Sequence, residues 1–310
     1  MKIVSFFAGC GGLDLGFEQA GYDVIWANEF DKRILPTYRA NHSNTYLDSR
    51  SITEISPEDI PDCDGIIGGP PCQSWSMAGL RKGICDPRGQ LFYPYINLIK
   101  SKRPAFFLAE NVRGIIDKTH KADFDHFIEL FKDAGYAVQY KLLWACDYGV
   151  PQTRPRVIIV GVRKDIDWKY RYPDPVPENE RKNVRDAIGD IRMCFPYCDP
   201  SIRVHSYPLD NLEAKVYTPP THTYKMYWKF DEWDKPSYTI LTRSTTQPWH
   251  PNKKRRLSVR ECARIQTFPD NFQFIYECPD LGYHMIGNAV PVLLAKTIAT
   301  SLLPIADHIQ

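Results

Sequence analysis

The sequence predicts an α/β fold with a mostly parallel sheet and a second, smaller, irregular lobe that contains β-structure. Two observations carry this. Over residues 2–162, short apolar β-rich runs alternate with segments of helical period, the pattern of strands joined by crossover helices. From Tyr170 to Pro251, prolines and aromatic residues become frequent and helical periodicity fades. Regular patterning returns only after Ser258.

The elements follow in order. Lys2–Phe7 is an apolar run ended by Ala8-Gly9-Cys10-Gly11-Gly12. Leu13, Phe17 and Ala20 then recur at helical spacing up to Gly21, a natural helix stop. Val24–Asn28 reads as a second strand with Glu29 at its end, and residues 31–40 as a helix. Gly65–Gly69 and Ala105–Ala109 are short buried strands. Phe124, Phe127, Ile128 and Phe131 mark a helix before a strand near Val138–Trp144, and Arg156–Val162 is a further strand. In the second lobe Ser237–Leu241 is β-like. Ser258-Val-Arg-Glu261 is a capping-box signature that opens a helix through Gln266, and Val290–Leu303 reads as an apolar closing helix.

Composition bounds the function. The chain has 310 residues, 43% of them apolar and 25% charged, with a formal net charge of +2. These values are ordinary for a soluble globular protein and exclude disordered or collagen-like chains. No run approaches the roughly 20 continuous apolar residues of a spanning helix, and no signal peptide is read at the start, so the expected location is the cytoplasm. Nine cysteines at scattered spacings fit reduced thiols rather than a disulfide scaffold or a zinc site. The one marked charge feature is the basic stretch His250-Pro-Asn-Lys253-Lys254-Arg255-Arg256, followed by Arg260 and Arg264. It suits a solvated face or a phosphate-binding edge.

Four motifs carry chemistry. Gly9-x-Gly11-x-x-Asp14 lacks the third glycine of a dinucleotide fingerprint, which disfavours a pyrophosphate. With Glu29 placed to accept ribose hydroxyls, it suits a nucleoside cofactor such as S-adenosylmethionine (SAM). Gly68-Gly69-Pro70-Pro71-Cys72-Gln73-Ser74-Trp75-Ser76 follows a strand, and its prolines stiffen the approach to a candidate thiolate nucleophile. Glu110-Asn111-Val112 ends an apolar strand on the same side of the sheet, where a buried carboxyl can stay protonated near neutrality. In Gln152-x-Arg154-x-Arg156, alternation sends both guanidinium groups to one side, suited to a phosphate and a base carbonyl.

Together with Arg260-Glu261-Cys262-Ala263-Arg264-Ile265-Gln266-x-Phe268-Pro269 and Gly287-Asn288-Ala289-Val290-Pro291, these motifs resemble the ordered signature of DNA (cytosine-5)-methyltransferases of bacterial restriction-modification systems. The order and spacing match from residue 3 to about 299. The resemblance implies a Rossmann-like SAM-dependent methyltransferase domain, residues 1–184 with 280–310, and a target-recognition domain, residues 185–279. It implies that Cys72 adds to carbon 6 of a flipped-out cytosine, that Glu110 engages ring nitrogen 3, that Arg156 binds the base carbonyl and that Arg154 assists. SAM would be lined by Phe7, Gly9, Gly11, Gly12 and Pro71. Glu29 would take its ribose and Phe30 its adenine, with Asn288 closing the pocket. No metal is implied.

The implied substrate is double-stranded DNA, with a restriction endonuclease acting on the same site without direct contact, no membrane, and a monomeric enzyme. Gln73 and Ser76 beside the nucleophile, Arg243, Thr245, Gln247 and His250 in the divergent lobe, and Lys253, Lys254 and Arg255 in the basic stretch are the candidate DNA contacts. Asp86-Pro87-Arg88-Gly89 and the text Gln266–Tyr276 look closest to methylases of GGCC sites. One position departs from the family. Where it usually has Asp contacting the adenine amino group, this chain has Ser51, which predicts weaker SAM binding. Three other readings are disfavoured: a transfer-RNA methylase by the missing Cys-Phe-Thr element around residues 145–149, a non-catalytic DNA-binding relative by intact Cys72 and Glu110, and a nicotinamide oxidoreductase by Asp14.

Overall fold

The structure is a computed structural model and describes residues 1–71, 89–191, 229–252 and 255–309. Alternating strands and helices build its first half: β1 (Lys2–Phe6), α1 (Gly12–Gln19), β2 (Asp23–Asn28), α2 (Leu35–Asn41), β3 (Tyr46–Asp48) and β4 (Gly65–Gly68). Then come α3 (Phe92–Lys102), β5 (Phe106–Val112), α4 (Lys121–Asp133), β6 (Tyr136–Trp144), β7 (Gln152–Thr153) and β8 (Pro155–Arg163). The remaining elements are α5 (Val184–Ile188), β9 (Ser237–Tyr238), α6 (Val259–Ile265), α7 (Pro279–Asn288) and α8 (Val292–Leu302).

Seven strands form one sheet in the order β3-β2-β1-β4-β5-β8-β6. All neighbouring pairs from β3 to β5 are parallel, and β8 runs antiparallel to both β5 and β6. The expected sheet is therefore mixed through one reversed strand. That reversal brings the start of β8 to the edge where β1, β2, β4 and β5 end.

The strands are apolar on both faces, as a sheet covered on both sides requires. Ile3, Ile67, Phe106, Leu108, Ile158 and Val160 meet α1 and α8 on one face. Val4, Phe6, Ile66, Phe107, Ala109, Val157 and Ile159 meet α3 and α4 on the other. A third cluster joins Val184, Ile188 and Ile240 to α6, Phe268, Phe272, Phe274, Met285 and Ile286, and it also takes in Cys10 and Ile34. The segment after Ser258 thus packs directly onto the glycine-rich turn.

The Ser258 capping box is present, with the Ser258 hydroxyl accepting from the Glu261 amide. The expected closing helix is α8, and α7 is a further helix before it. Pro279–His308 is by length and composition apolar enough to cross a membrane, yet 56% of its most apolar 18-residue stretch is buried inside the fold. Ala289–Pro291, in extended conformation at Ala289, separates α7 from α8. The apolar character serves the core, since α8 lies on α1. Their contact is close at Gly16, where a Cβ would stand 2.4 Å from the Ala295 Cβ and 2.7 Å from the Val292 carbonyl oxygen. Gly16→Ala should therefore force the two helices apart and destabilise the fold by about 2 kcal/mol, measured by urea unfolding.

Candidate active site

The edge where the parallel strands end holds an acid and a base in contact. On β5, Glu110 continues the Phe106–Leu108 face, and the β5–β8 ladder sets Glu110 opposite Ile158 and Val112 opposite Arg156. Glu110 and Arg156 therefore share a face one diagonal step apart. Their side chains form a salt bridge of 2.8 Å, and both residues are buried. Burial raises the Glu110 carboxyl above the usual range, and Arg156, then Arg154, oppose that rise without cancelling it.

The strand before Cys72 is held against this pair. A Cβ on Gly69 would lie 3.2 Å from Glu110 Oε2, and Asn111 Nδ2 donates to the Pro70 carbonyl at 3.1 Å. The chain is thus fixed beside Glu110 up to Pro71, which is half-buried. Cys72, Gln73 and Ser76 lie outside the described residues, as do Lys253 and Lys254.

At the ends of β1 and β2 the candidate cofactor residues gather. Glu29 Oε2 accepts from the Gly9 amide at 2.8 Å and Oε1 from the Asp31 amide at 2.7 Å. Each oxygen keeps a lone pair that a ribose hydroxyl could use. Burial raises the Glu29 carboxyl, against these amide bonds. Phe30 beside it is 66% exposed, an aromatic face open to a flat base. A Cβ on Gly9 would meet nothing within 4 Å, so the turn faces open space.

Gly11 needs its hydrogen for two reasons: its φ is +90°, and a Cβ would sit 2.1 Å from His42 Nε2. Phe7 holds φ 54°, a left-handed backbone that costs a residue with a side chain of order 1 kcal/mol. On Gly12 a Cβ would stand 2.6 Å from the Val290 carbonyl, so the turn also abuts the C-terminal motif. Ser51 Oγ is 2.8 Å from Thr53 Oγ1 and caps a short turn. Asn288 is exposed, its amide 3.1 Å from His284 Nε2. An acid on backbone amides, an exposed ring and an uncrowded glycine turn are a donor set that fits a nucleoside.

Asp14, which displaces the third glycine of the fingerprint, is fully buried and accepts from Ser5 Oγ and Tyr38 Oη, each at 2.6 Å. It bolts α1 to β1 and α2 beneath the turn. The sequence alone gave no sign of this role.

Arg154 does not lie beside Arg156. It precedes β8, is wholly buried, and its guanidinium reaches away from the sheet edge to donate to the carbonyls of Ile240, Gly287 and Ala289 at 3.1, 2.7 and 3.0 Å. Alternation fails because the strand starts only at Pro155.

Three candidate DNA contacts are corrected. Gln247 is wholly buried and braces its own loop, accepting from the Leu241 amide and donating to the carbonyls of Leu241 and Arg243. His250 is buried against Trp233, and burial pushes its imidazole below the ordinary value. Arg255 makes a two-pronged ion pair with Glu261 at 2.7 and 2.8 Å, so its half-buried guanidinium is tied to α6. Charge counting along the sequence cannot see that Glu261 awaits this arginine. Arg243 and Thr245 are exposed, and with Arg33, Thr242, Asp280 and His284 they line an open hollow of about 430 Å³.

A family model described as C-5 cytosine-specific DNA methylase matches residues 1–303. The chain belongs to the C-5 cytosine-specific DNA methylase family. Its relatives include the type II methyltransferases M.MthTI of Methanothermobacter thermautotrophicus, 44% identical over 97% of both chains, and M.NgoPII of Neisseria gonorrhoeae, 41% identical over 97% of this chain and 95% of the relative. Among solved structures, a prophage-encoded DNA modification methyltransferase of E. coli superposes with a TM-score of 0.78 at 25% identity over 99% of both chains. The S. pombe Dnmt2 methyltransferase shares the fold, with a TM-score of 0.71 at 18% identity over 98% of both chains.

The chain is thus a site-specific DNA cytosine-5 methyltransferase of the type II restriction-modification group, a SAM-dependent family. Sequence reasoning quoted Gln152 and Gln266 within its motifs but gave them no role. In this methylase both are wholly buried and bonded to each other, Gln152 Nε2 to Gln266 Oε1 at 2.9 Å.

A buried acid marks the small lobe. Asp231 Oδ1 accepts from the Tyr238 amide at 3.1 Å, and burial lifts its carboxyl to about 6, against the Ser237 hydrogen bond. Its folded value lies above the unfolded value of about 3.9. The stability linked to the protonated form is therefore present in full below about pH 4 and lost as pH rises through 6. Asp231→Asn should raise the melting temperature at pH 7.5 by about 3 °C and leave it unchanged at pH 4, read by scanning calorimetry.

Proposed function

We propose that this methylase adds a methyl group to carbon 5 of a cytosine everted from duplex DNA, through a transient bond to Cys72, and so protects a short site from a restriction endonuclease. The observation that carries the reading is the buried Glu110–Arg156 pair set against Gly69–Pro71, the segment that delivers Cys72. The ring atoms are out of reach within stacked DNA, so the base must leave the helix.

Carbon 5 of cytosine is a poor nucleophile. The Cys72 thiolate forms a bond to carbon 6, while Glu110 gives its proton to ring nitrogen 3 and Arg156 holds the base carbonyl. The ring becomes an enamine whose electron density lies on carbon 5. Once carbon 5 carries the methyl group, its proton passes to a solvent base, the electrons of that bond restore the ring double bond, Cys72 leaves as the thiolate, and nitrogen 3 gives its proton back to Glu110. The raised carboxyl of Glu110 supports its part, because a shift in that direction favours the protonated form a donor needs.

SAM, when bound, supplies an electrophilic methyl group. Phe7, Gly9, Gly11, Gly12 and Pro71 would line it, Glu29 would hold the ribose, Phe30 the adenine face and Ser51 the adenine amino group, with Asn288 closing the pocket. Residues 1–184 with 280–310 would carry the chemistry, and 185–279 would read the site. Within that span Arg243 and Thr245 are the exposed candidates for the DNA face, and GGCC is the proposed site. The enzyme would act as a monomer in the cytoplasm, and the endonuclease would meet the same DNA site without touching this chain.

Tritiated SAM and plasmid DNA should give labelled DNA, and bisulfite sequencing should find 5-methylcytosine at one short sequence. Cys72→Ala should abolish transfer and retain DNA binding, and a duplex with 5-fluorocytosine at the target should trap the wild-type protein covalently on a denaturing gel. Transfer by Cys72→Ala would remove the nucleophile from the scheme. Ser51→Asp should tighten SAM binding by about 3–10-fold, measured by calorimetry, because a carboxylate makes a stronger hydrogen bond to an amino group than a hydroxyl does.

A further inference from the structure

One buried side chain joins two distant segments of this protein. Arg154 stands two residues before Arg156. Its guanidinium donates to the carbonyls of Gly287 and Ala289, the residues on either side of Asn288. It also donates to the carbonyl of Ile240, whose chain runs on through Leu241 and Thr242 to Arg243 and Thr245.

Other contacts make the same junction rigid. Gln152 Oε1 accepts from the Ile240 amide at 2.9 Å, and Gln152 Nε2 donates to Gln266. Gln266 Nε2 in turn donates to the Ile286 carbonyl at 2.7 Å and to that of Ala289 at 3.3 Å. β7 pairs with β9 through Gln152–Ser237 and Thr153–Tyr238. α7 approaches the loop so closely that a Cβ on Gly287 would fall 2.3 Å from the Leu241 carbonyl oxygen. Gln247 then closes the loop from its far end by bonding both polar groups of Leu241.

We infer that Arg154 is a positioning residue, not a substrate contact, and that with Gln152 and Gln266 it couples DNA engagement by the Arg243–Thr245 loop to cofactor binding beside Asn288. The inference rests on the proposed reading of those two regions. A guanidinium with its donors fixed on three carbonyls from two segments transmits a shift of either segment to the other. A shift in the loop moves Ile240, and both Arg154 and the close Gly287–Leu241 contact carry that movement to the turn that holds Asn288. Packed interiors of this kind respond by discrete rearrangement rather than by absorbing the strain. Linkage then requires equal effects in both directions: DNA must tighten cofactor binding by the factor by which cofactor tightens DNA binding.

The test is the affinity of S-adenosylhomocysteine with and without a short duplex carrying the site found by bisulfite sequencing. The wild type should bind it about 10-fold more tightly with the duplex, within the usual range of such couplings. Arg154→Lys cannot span three carbonyls, and it should reduce that factor to about 2 or less while each ligand still binds alone. Gln152→Met removes a neighbouring link without touching a charge. It should cut the factor in the same direction, and it carries the test if Arg154→Lys does not fold by circular dichroism. A merely structural arginine would lower the melting temperature and leave the ratio intact. An unchanged ratio in a folded variant, or no coupling in the wild type, overturns the inference. Absence of any tritium transfer by the wild type would instead overturn the reading of the active site.

Discussion

The reversed direction of β8 is the constraint on which the site depends. A parallel strand in that place would end at the catalytic edge and would have to carry its arginine at its last residues. An antiparallel one begins there, so Arg156 emerges at once beside the last turns of β5. The resulting pair is buried, and a buried ion pair is weak evidence for stability, since the cost of removing two charges from water offsets their attraction. Its value lies in chemistry. The carboxyl is kept buried and raised, and in the proposed reading its partner holds the guanidinium in place for the base.

Around that pair the molecule is arranged in two rings of support. Beneath the nucleoside edge, Asp14 ties β1, α1 and α2 together, and His42 fills the space under Gly11. Behind the catalytic edge, Arg154 and the two buried glutamines tie the small lobe to the C-terminal helices. Both supports are polar and buried, and most of their groups are bonded within the fold. Such networks define a geometry more sharply than apolar packing, because each member has directional demands.

Much of this was legible in the sequence. Six of the seven sheet strands, the capping box at Ser258 and the edge that gathers Glu29, Glu110 and Arg156 follow from periodicity and from the rule that ligands sit at strand ends, whereas the short β3 does not. What was not legible has a common cause. Gln247, His250 and Arg255 read as candidate DNA contacts because nothing in the linear text pairs them with Leu241, Trp233 and Glu261, which bond or cover them only after folding. Arg154 was misread by extending strand alternation one residue past the strand. α3 and α7 were missed because Phe92-Tyr-Pro-Tyr and Pro279-Asp-Leu-Gly carry proline and glycine that weaken a helical reading, although proline near a helix start is well tolerated.

The packing of α1 on α8 has a consequence for how the chain is made. The first helix meets its cover only after nearly three hundred residues of intervening chain, among the most distant contacts the fold possesses. Until α8 has left the ribosome, one face of the central sheet lacks part of its cover, and the turn at Gly12 lacks the Val290 carbonyl against which it is set. Long-separation closure of this sort slows folding and leaves apolar surface exposed meanwhile. A nascent or prematurely terminated chain therefore has no half-competent enzyme to offer. The glycine-rich turn and α8 mature in the same event, and a cell making this methylase acquires its DNA-modifying capacity only once α8 is in place.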